Sequence, residues 1–161
     1  MTTPFADLFA QAESSTIEVD GEVLNAVVEL SVVAPLIFTV VRTGSRSDRA
    51  QGLVLEAIGT NLRAAGTEAR RVTLWSDTAP ETVTLEIGEP GRFTVRAWNT
   101  WRDDDIAHAW VGWSAMKRRD ENGMTILACR DGHEDGDFDD LIVELTYGPG
   151  DDSGVLTTAF Q

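Results

Sequence analysis

Arg92-Phe-Thr-Val-Arg-Ala-Trp-Asn-Thr-Trp101 is the stretch on which the fold turns. Phe93, Val95, Ala97 and Asn99 fall on one face of an extended chain, and Arg92, Thr94, Arg96 and Trp98 on the other. That two-residue period is the mark of a half-buried β-strand. Before it, Glu89-Pro-Gly91 reads as a turn, and Arg71–Ser76 and Glu81–Ile87 read as strands joined by Asp77-Thr-Ala-Pro80. After it, Asp103-Asp104-Asp105 reverses the chain and Ala107–Lys117 returns. Glu121-Asn-Gly123 makes the next turn, ahead of Met124–Cys129, and Asp140–Tyr147 is a last strong strand.

The same texture extends towards the N-terminus. Thr16–Asp20 and Glu22–Val33 flank Asp20-Gly21, a dipeptide that favours a tight turn, and Leu36–Thr43 has the Ile, Val, Phe and Thr content of a buried strand. Gly44–Asp48 is a loop. Gln51–Ala65 carries two patterns: Leu53, Val54, Ala57, Ile58, Leu62 and Ala65 fit a helical face, whereas Gly52, Gly59 and Gly66 oppose a helix. Strand followed by loop is the expectation there. Ahead of these, Thr3-Pro4 followed by Phe5, Leu8, Phe9 and Ala12 predicts a short amphipathic helix, capped by Thr3, within a helical segment 1–15. The tail 148–161 is Gly- and Asp-rich, then briefly apolar at Val155-Leu156, and is expected to frame a sheet edge or to hang loose. Turn signals about every ten residues, with no dividing linker and no fixed repeat, predict one all-β domain over 1–161. An antiparallel β-sandwich is the expected form, with a jelly roll or a barrel as alternatives.

Composition narrows the partners. A chain of 161 residues with 42% hydrophobic residues has enough apolar surface for one ordinary core. Its formal net charge of -14 disfavours DNA, RNA and anionic lipid, because phosphate binding needs Lys and Arg to neutralise it. Cys129 is the single cysteine, so no intramolecular disulfide forms and multi-cysteine zinc sites are excluded. No basic-then-apolar leader is visible in Met1–Ala12, and Val32–Val41 is too short to span a bilayer. The default expectation is the cytoplasm, with non-classical secretion as the alternative.

The most distinctive stretch is Asp131-Gly-His-Glu-Asp-Gly-Asp-Phe-Asp-Asp140, with six carboxylates in ten residues and no Lys or Arg. Six anions this close need a compensating cation or arginines. Asp131, His133, Asp135, Gly136, Asp137 and Asp139 occupy relative positions 1, 3, 5, 6, 7 and 9, a spacing similar to that of the EF-hand calcium loop. His133 stands at position 3 and Ile142 at position 12, and both flanks read as strands, which is not an EF-hand. Asp135-Gly-Asp-Phe-Asp-Asp-Leu141, running into Ile142-Val-Glu-Leu145, more closely resembles the short Asp-Gly-Asp-rich calcium loops of bacterial all-β modules. The resemblance covers about a dozen residues. It implies a calcium site, with magnesium or no ion as alternatives, whose ligands are drawn from Asp131, His133, Asp135, Asp137, Asp139 and Asp140. The other expectation is an acidic turn salt-bridged to Arg118, Arg119 or Arg130.

Trp98, Trp101, Trp110 and Trp113 lie within sixteen residues. A spacing of three places each strand pair on opposite faces, so that some rings are core and others exposed; the other expectation is that all four pack the core or a strand edge. Exposed indoles stack on sugar rings or anchor protein interfaces. The two histidines, His108 and His133, could join an Asp in a two-His-plus-carboxylate set. Hydrolase nucleophile and phosphate-loop signatures are absent. The expected function is therefore non-enzymatic: a cation-stabilised β-sandwich that recognises a carbohydrate or a protein through its tryptophans. The alternatives are a small metal- or acid/base-dependent enzyme using His133 and Asp137, and an acidic bacterial immunity- or inhibitor-type protein with a basic target.

Overall fold

The computed structural model describes residues 3–149, and the expectations for the tail beyond them lie outside the described residues. Helix α1 (Phe5–Ala12) is followed by strands β1 (Thr16–Val19), β2 (Glu22–Asn25), β3 (Val28–Ser45), β4 (Gln51–Ile58), β5 (Leu62–Ala64) and β6 (Thr67–Ala69). Then come β7 (Arg71–Trp75), β8 (Thr82–Asp103), β9 (Ile106–His108), β10 (Ala115–Glu121), β11 (Met124–Arg130) and β12 (Leu141–Pro149). The fold is all-β and antiparallel, with one short N-terminal helix, and its main strand order is β1-β2-β10-β11-β12-β3-β8-β4-β7.

Strict alternation builds the core. Along β3, Val28, Leu30, Val32, Ala34, Leu36, Phe38 and Val40 are all buried, while Glu29, Ser31 and Val33 are exposed. β3 and β8 form one long ribbon that bends midway. On one side of the bend β8 pairs with β4, and β4 with β7; on the other side β3 pairs with β12, and β12 with β11. Side chains from both halves, such as Leu53 and Ala97 from one and Leu127 and Leu145 from the other, meet in a single cluster. The sheet is folded over on itself, and its inner face stays dry. A smaller cluster of Phe5, Phe9, Leu24 and Ala115, with Trp113 and Phe138 packed against it, docks α1 at one end.

Three expectations change. Glu89-Pro-Gly91 does not reverse the chain: Ala34 pairs with Gly91 and Leu36 with Ile87, so Gly88–Pro90 bulge opposite the single residue Pro35. The turn-forming residues make the bend of a long ribbon, because neither proline can donate to the ladder and both strands must yield together. Ala107–Lys117 is not one strand. β9 ends at His108, and Trp110 (φ 59°) and Gly112 (φ 60°) take left-handed backbone conformations that no strand accommodates. Finally, α1 is capped by Pro4 without any side-chain hydrogen bond, so Thr3 has no capping role. The ambiguous Gln51–Ile58 is a strand, and the loop expected after it contains the small β5–β6 hairpin.

Candidate functional site

The acidic loop is organised by its two buried carboxylates. Asp131 is fully buried and Asp140 nearly so. Asp131 Oδ1 accepts from the His133 backbone N–H (3.1 Å) and Arg49 Nη2 (3.2 Å), and Oδ2 from Arg49 Nε (3.0 Å) and Gln51 Nε2 (3.0 Å). Asp140 Oδ2 accepts the backbone N–H groups of Asp131 (3.0 Å) and Asp137 (3.1 Å), and Oδ1 meets Arg46 Nη1 at 3.2 Å. Asp135 takes Arg49 Nη2 at 2.8 Å. A Cβ on Gly136 would sit 2.8 Å from Asp131 Oδ1 and 2.9 Å from Asp140 Oδ2, so glycine is there to let the chain pass over the carboxylates.

The compensating charge therefore comes from Arg46 and Arg49, in the loop between β3 and β4. The arginines expected from sequence do other work: Arg118 pairs with Asp120, Arg119 with Glu121, and Arg130 donates to the Glu134 carbonyl. Burial pushes the Asp140 carboxyl up, and the Arg49 hydrogen bond holds Asp135 below its ordinary value. These residues do not fit a calcium ion. The oxygens of Asp131 are saturated by nitrogen donors, and two guanidinium groups stand where the charge of a cation would be needed. Asp137 Oδ1 accepts the Phe138 N–H, and Asp139 is exposed. Among the described residues no group of three or more His, Cys, Asp or Glu side chains is arranged to hold a metal ion.

The pH dependence of the loop follows from these directions. Asp135 is lowered in the folded state, so its contribution is present above the ordinary 3.8 and is lost as pH falls through its folded value. Asp135→Asn is expected to melt lower than wild type at pH 7, with the gap closing as pH drops below 3.8. Paired melts across that range measure it, and a gap that stays constant with pH would contradict the assignment.

The four tryptophans separate by environment. Trp101 is buried and stacks on His108 at 6.0 Å. Trp113 packs edge-on to Phe5 at 5.4 Å, with Arg130 over its ring. Trp98 is buried beneath Trp110, their centroids 5.0 Å apart. Trp110 alone of the four is exposed, at 48%. Its segment is pinned from three sides: Trp110 Nε1–H donates to the Ala26 carbonyl (3.1 Å), Ala6 N–H to the Gly112 carbonyl (2.9 Å), and Trp113 N–H to the Gly132 carbonyl (3.1 Å). A bulky residue at positive φ costs on the order of 1–3 kcal/mol, and such strain persists where surroundings impose it, commonly at functional sites.

Beside Trp110 lies a cleft of about 420 Å³, lined by Trp98, Trp110, Glu29, Glu56, Arg71 and Arg96 among others. The four charged residues form one row across the outer sheet face, because Glu29 pairs in register with Arg96, Arg96 with Glu56, and Glu56 with Arg71. Arg96 Nε meets Glu29 Oε2 at 3.1 Å, Arg71 Nη2 meets Glu56 Oε2 at 2.6 Å, and Arg71 also lies over the Trp98 ring at 5.3 Å. Sequence reasoning placed Arg96 and Trp98 on this face but could not align Glu29, Glu56 and Arg71 beside them, since register across strands is not written in one strand.

The histidines do converge. His133 Nε2 lies 2.9 Å from Asp103 Oδ1, and His108 Nε2 lies 3.7 Å from Asp103 Oδ2. This ties the acidic loop to the β8–β9 hairpin. Cys129 is fully buried, and burial pushes its thiol up, away from nucleophile chemistry. No helix among the described residues is long and apolar enough to cross a membrane. The chain matches no family model, no curated protein and no solved structure in any of the three comparisons.

Proposed function

We propose that this protein is a non-enzymatic recognition domain whose ligand seats in the cleft beside Trp110. The observation that carries the reading is a strained, exposed indole held over a second indole at the mouth of a concave, polar-rimmed site. Ligand sites join apolar surface to a few convergent polar groups in this way. A tryptophan offers large rigid contact area at low entropic cost, and the pinned segment removes most of what ordering would otherwise consume. The acidic loop serves this site as scaffold: Gly132 holds Trp113, three residues beyond Trp110, and Arg46 and Arg49 hold the loop.

The reading is tested by an NMR fragment screen on the folded protein, following the Trp98 indole N–H and the backbone amides of Val27 and Glu29, which line the cleft in wild type and variant alike. Trp110→Asn suits the comparison, because asparagine tolerates the left-handed backbone. Hits on wild type that vanish in Trp110→Asn, with the remaining backbone spectrum preserved, are expected. A screen whose hits bind both proteins equally refutes the cleft. In the same reading, EDTA-treated protein is expected to keep its melting temperature in millimolar calcium, since arginines already supply the loop's positive charge. A rise of several degrees would return a calcium ion to the loop.

A further inference from the structure

Resting on the cleft reading, we infer that the ligand is an uncharged pyranoside, its ring stacked on Trp110 and a pair of vicinal hydroxyls clamped by the Arg–Glu row. The charge count points this way. Two guanidinium groups and two carboxylates cancel within the cleft, although the chain as a whole carries -14. A cationic ligand on either glutamate would lie beside the guanidinium already paired with it, and an anionic one on either arginine would lie beside its glutamate. Either placement sets like charges side by side, a repulsion that an uncharged ligand avoids.

The hydrogen-bonding pattern then selects among uncharged ligands. Glu29 and Glu56 each use one carboxylate oxygen in their ion pair, and Arg96 uses only Nε. Among the described residues the other oxygen of each glutamate, both Nη groups of Arg96 and Nη1 of Arg71 have no protein partner. Donors and acceptors thus alternate along the row. A hydroxyl both donates and accepts, and two on adjacent ring carbons can bridge a planar guanidinium to a planar carboxylate. The axial C–H face of the same ring is apolar and matches the exposed indole.

The probes are methyl β-D-glucopyranoside, methyl α-D-mannopyranoside and methyl β-D-galactopyranoside, with glucuronate and tetramethylammonium as charged controls, each titrated at tens of millimolar. At least one methyl pyranoside is expected to shift the Trp110 indole signal, and Arg96→Met to weaken it at least about tenfold, the loss of a charge-assisted hydrogen bond. Shifts with glucuronate or tetramethylammonium and none with the pyranosides overturn the inference and leave the cleft reading standing. Pyranoside shifts of equal strength in Arg96→Met overturn the diol clamp. Silence with every probe here, together with an empty fragment screen, overturns both.

Discussion

Truncating Arg49 to alanine is expected to lower the unfolding free energy by about 3 kcal/mol. The arginine gives Asp131 two of its four hydrogen bonds, and the carboxylate has no exposed surface on which to recruit water in exchange. Removing one partner of a buried ion pair costs about 3–5 kcal/mol, because the other is left charged and uncompensated. The low end applies here. Gln51 and the His133 N–H still hold Asp131, and Arg46 Nη1 stands 3.9 Å away. Urea denaturation at pH 7 measures the loss. Arg49→Lys should recover part of it, since an ammonium keeps the charge but not the two-pronged geometry. A double variant carrying Asp131→Asn as well should sit above the single Arg49→Ala. Should Arg49→Ala unfold within about 0.5 kcal/mol of wild type, the arginines are ornament to the loop and the account given for its neutralisation fails.

Gly132→Ala is expected to be at least as severe. An added methyl would lie 2.5 Å from Cζ2 of Trp101 and 2.6 Å from the Val111 carbonyl oxygen. One of these is a buried ring and the other is backbone, so no flexible side chain can move aside. Overpacking of this kind costs about 1–3 kcal/mol and more where the neighbours are rigid. The displaced partner would be the Val111 segment, so the Trp110 indole resonance should move in any variant that folds. A variant that melts within two degrees of wild type would mean that the loop and the Trp110 segment are not in contact. Gly59→Ala supplies the control. Unlike Gly132 it has positive φ, and its nearest side-chain atom is 3.9 Å away, so it isolates the cost of backbone strain from that of the clash.

The strand alternation was legible from sequence wherever a strand buries one face. Phe93, Val95 and Ala97 point inward and Arg92 and Arg96 outward, as their spacing requires. What sequence hid was geometry between segments. Pro35 and Gly88–Gly91 carry turn chemistry, yet they face each other as a bulge, and only the pairing of β3 with β8 reveals it. The acidic loop was conspicuous because its carboxylates are contiguous. Its counter-charges were not, because Arg46 and Arg49 come from another loop, more than 80 residues earlier in the chain. Of the two expectations for the tryptophans, a mixture of buried and exposed rings is what the structure has and packing of all four is not, and period alone could not say which ring would be exposed. Trp110 is set by a left-handed backbone, and nothing in the residues Ala109–Trp113 announces that apart from Gly112.

The row of Glu29, Arg96, Glu56 and Arg71 has a consequence for how this chain can change. It belongs to four different strands, and each charge stands opposite its complement only in the native alignment. Sliding β4 by two residues along β8 would set Glu56 against Thr94 or Trp98 and strip both neighbours of a partner. The residues that would meet a ligand are thus the same ones that tell the strands where to stop. Drift at this surface is coupled to assembly of the sheet: exchanging one charge, or one adjacent pair such as Glu29→Arg with Arg96→Glu, sets like charges opposite each other in the row, and only inverting all four keeps every pairing complementary.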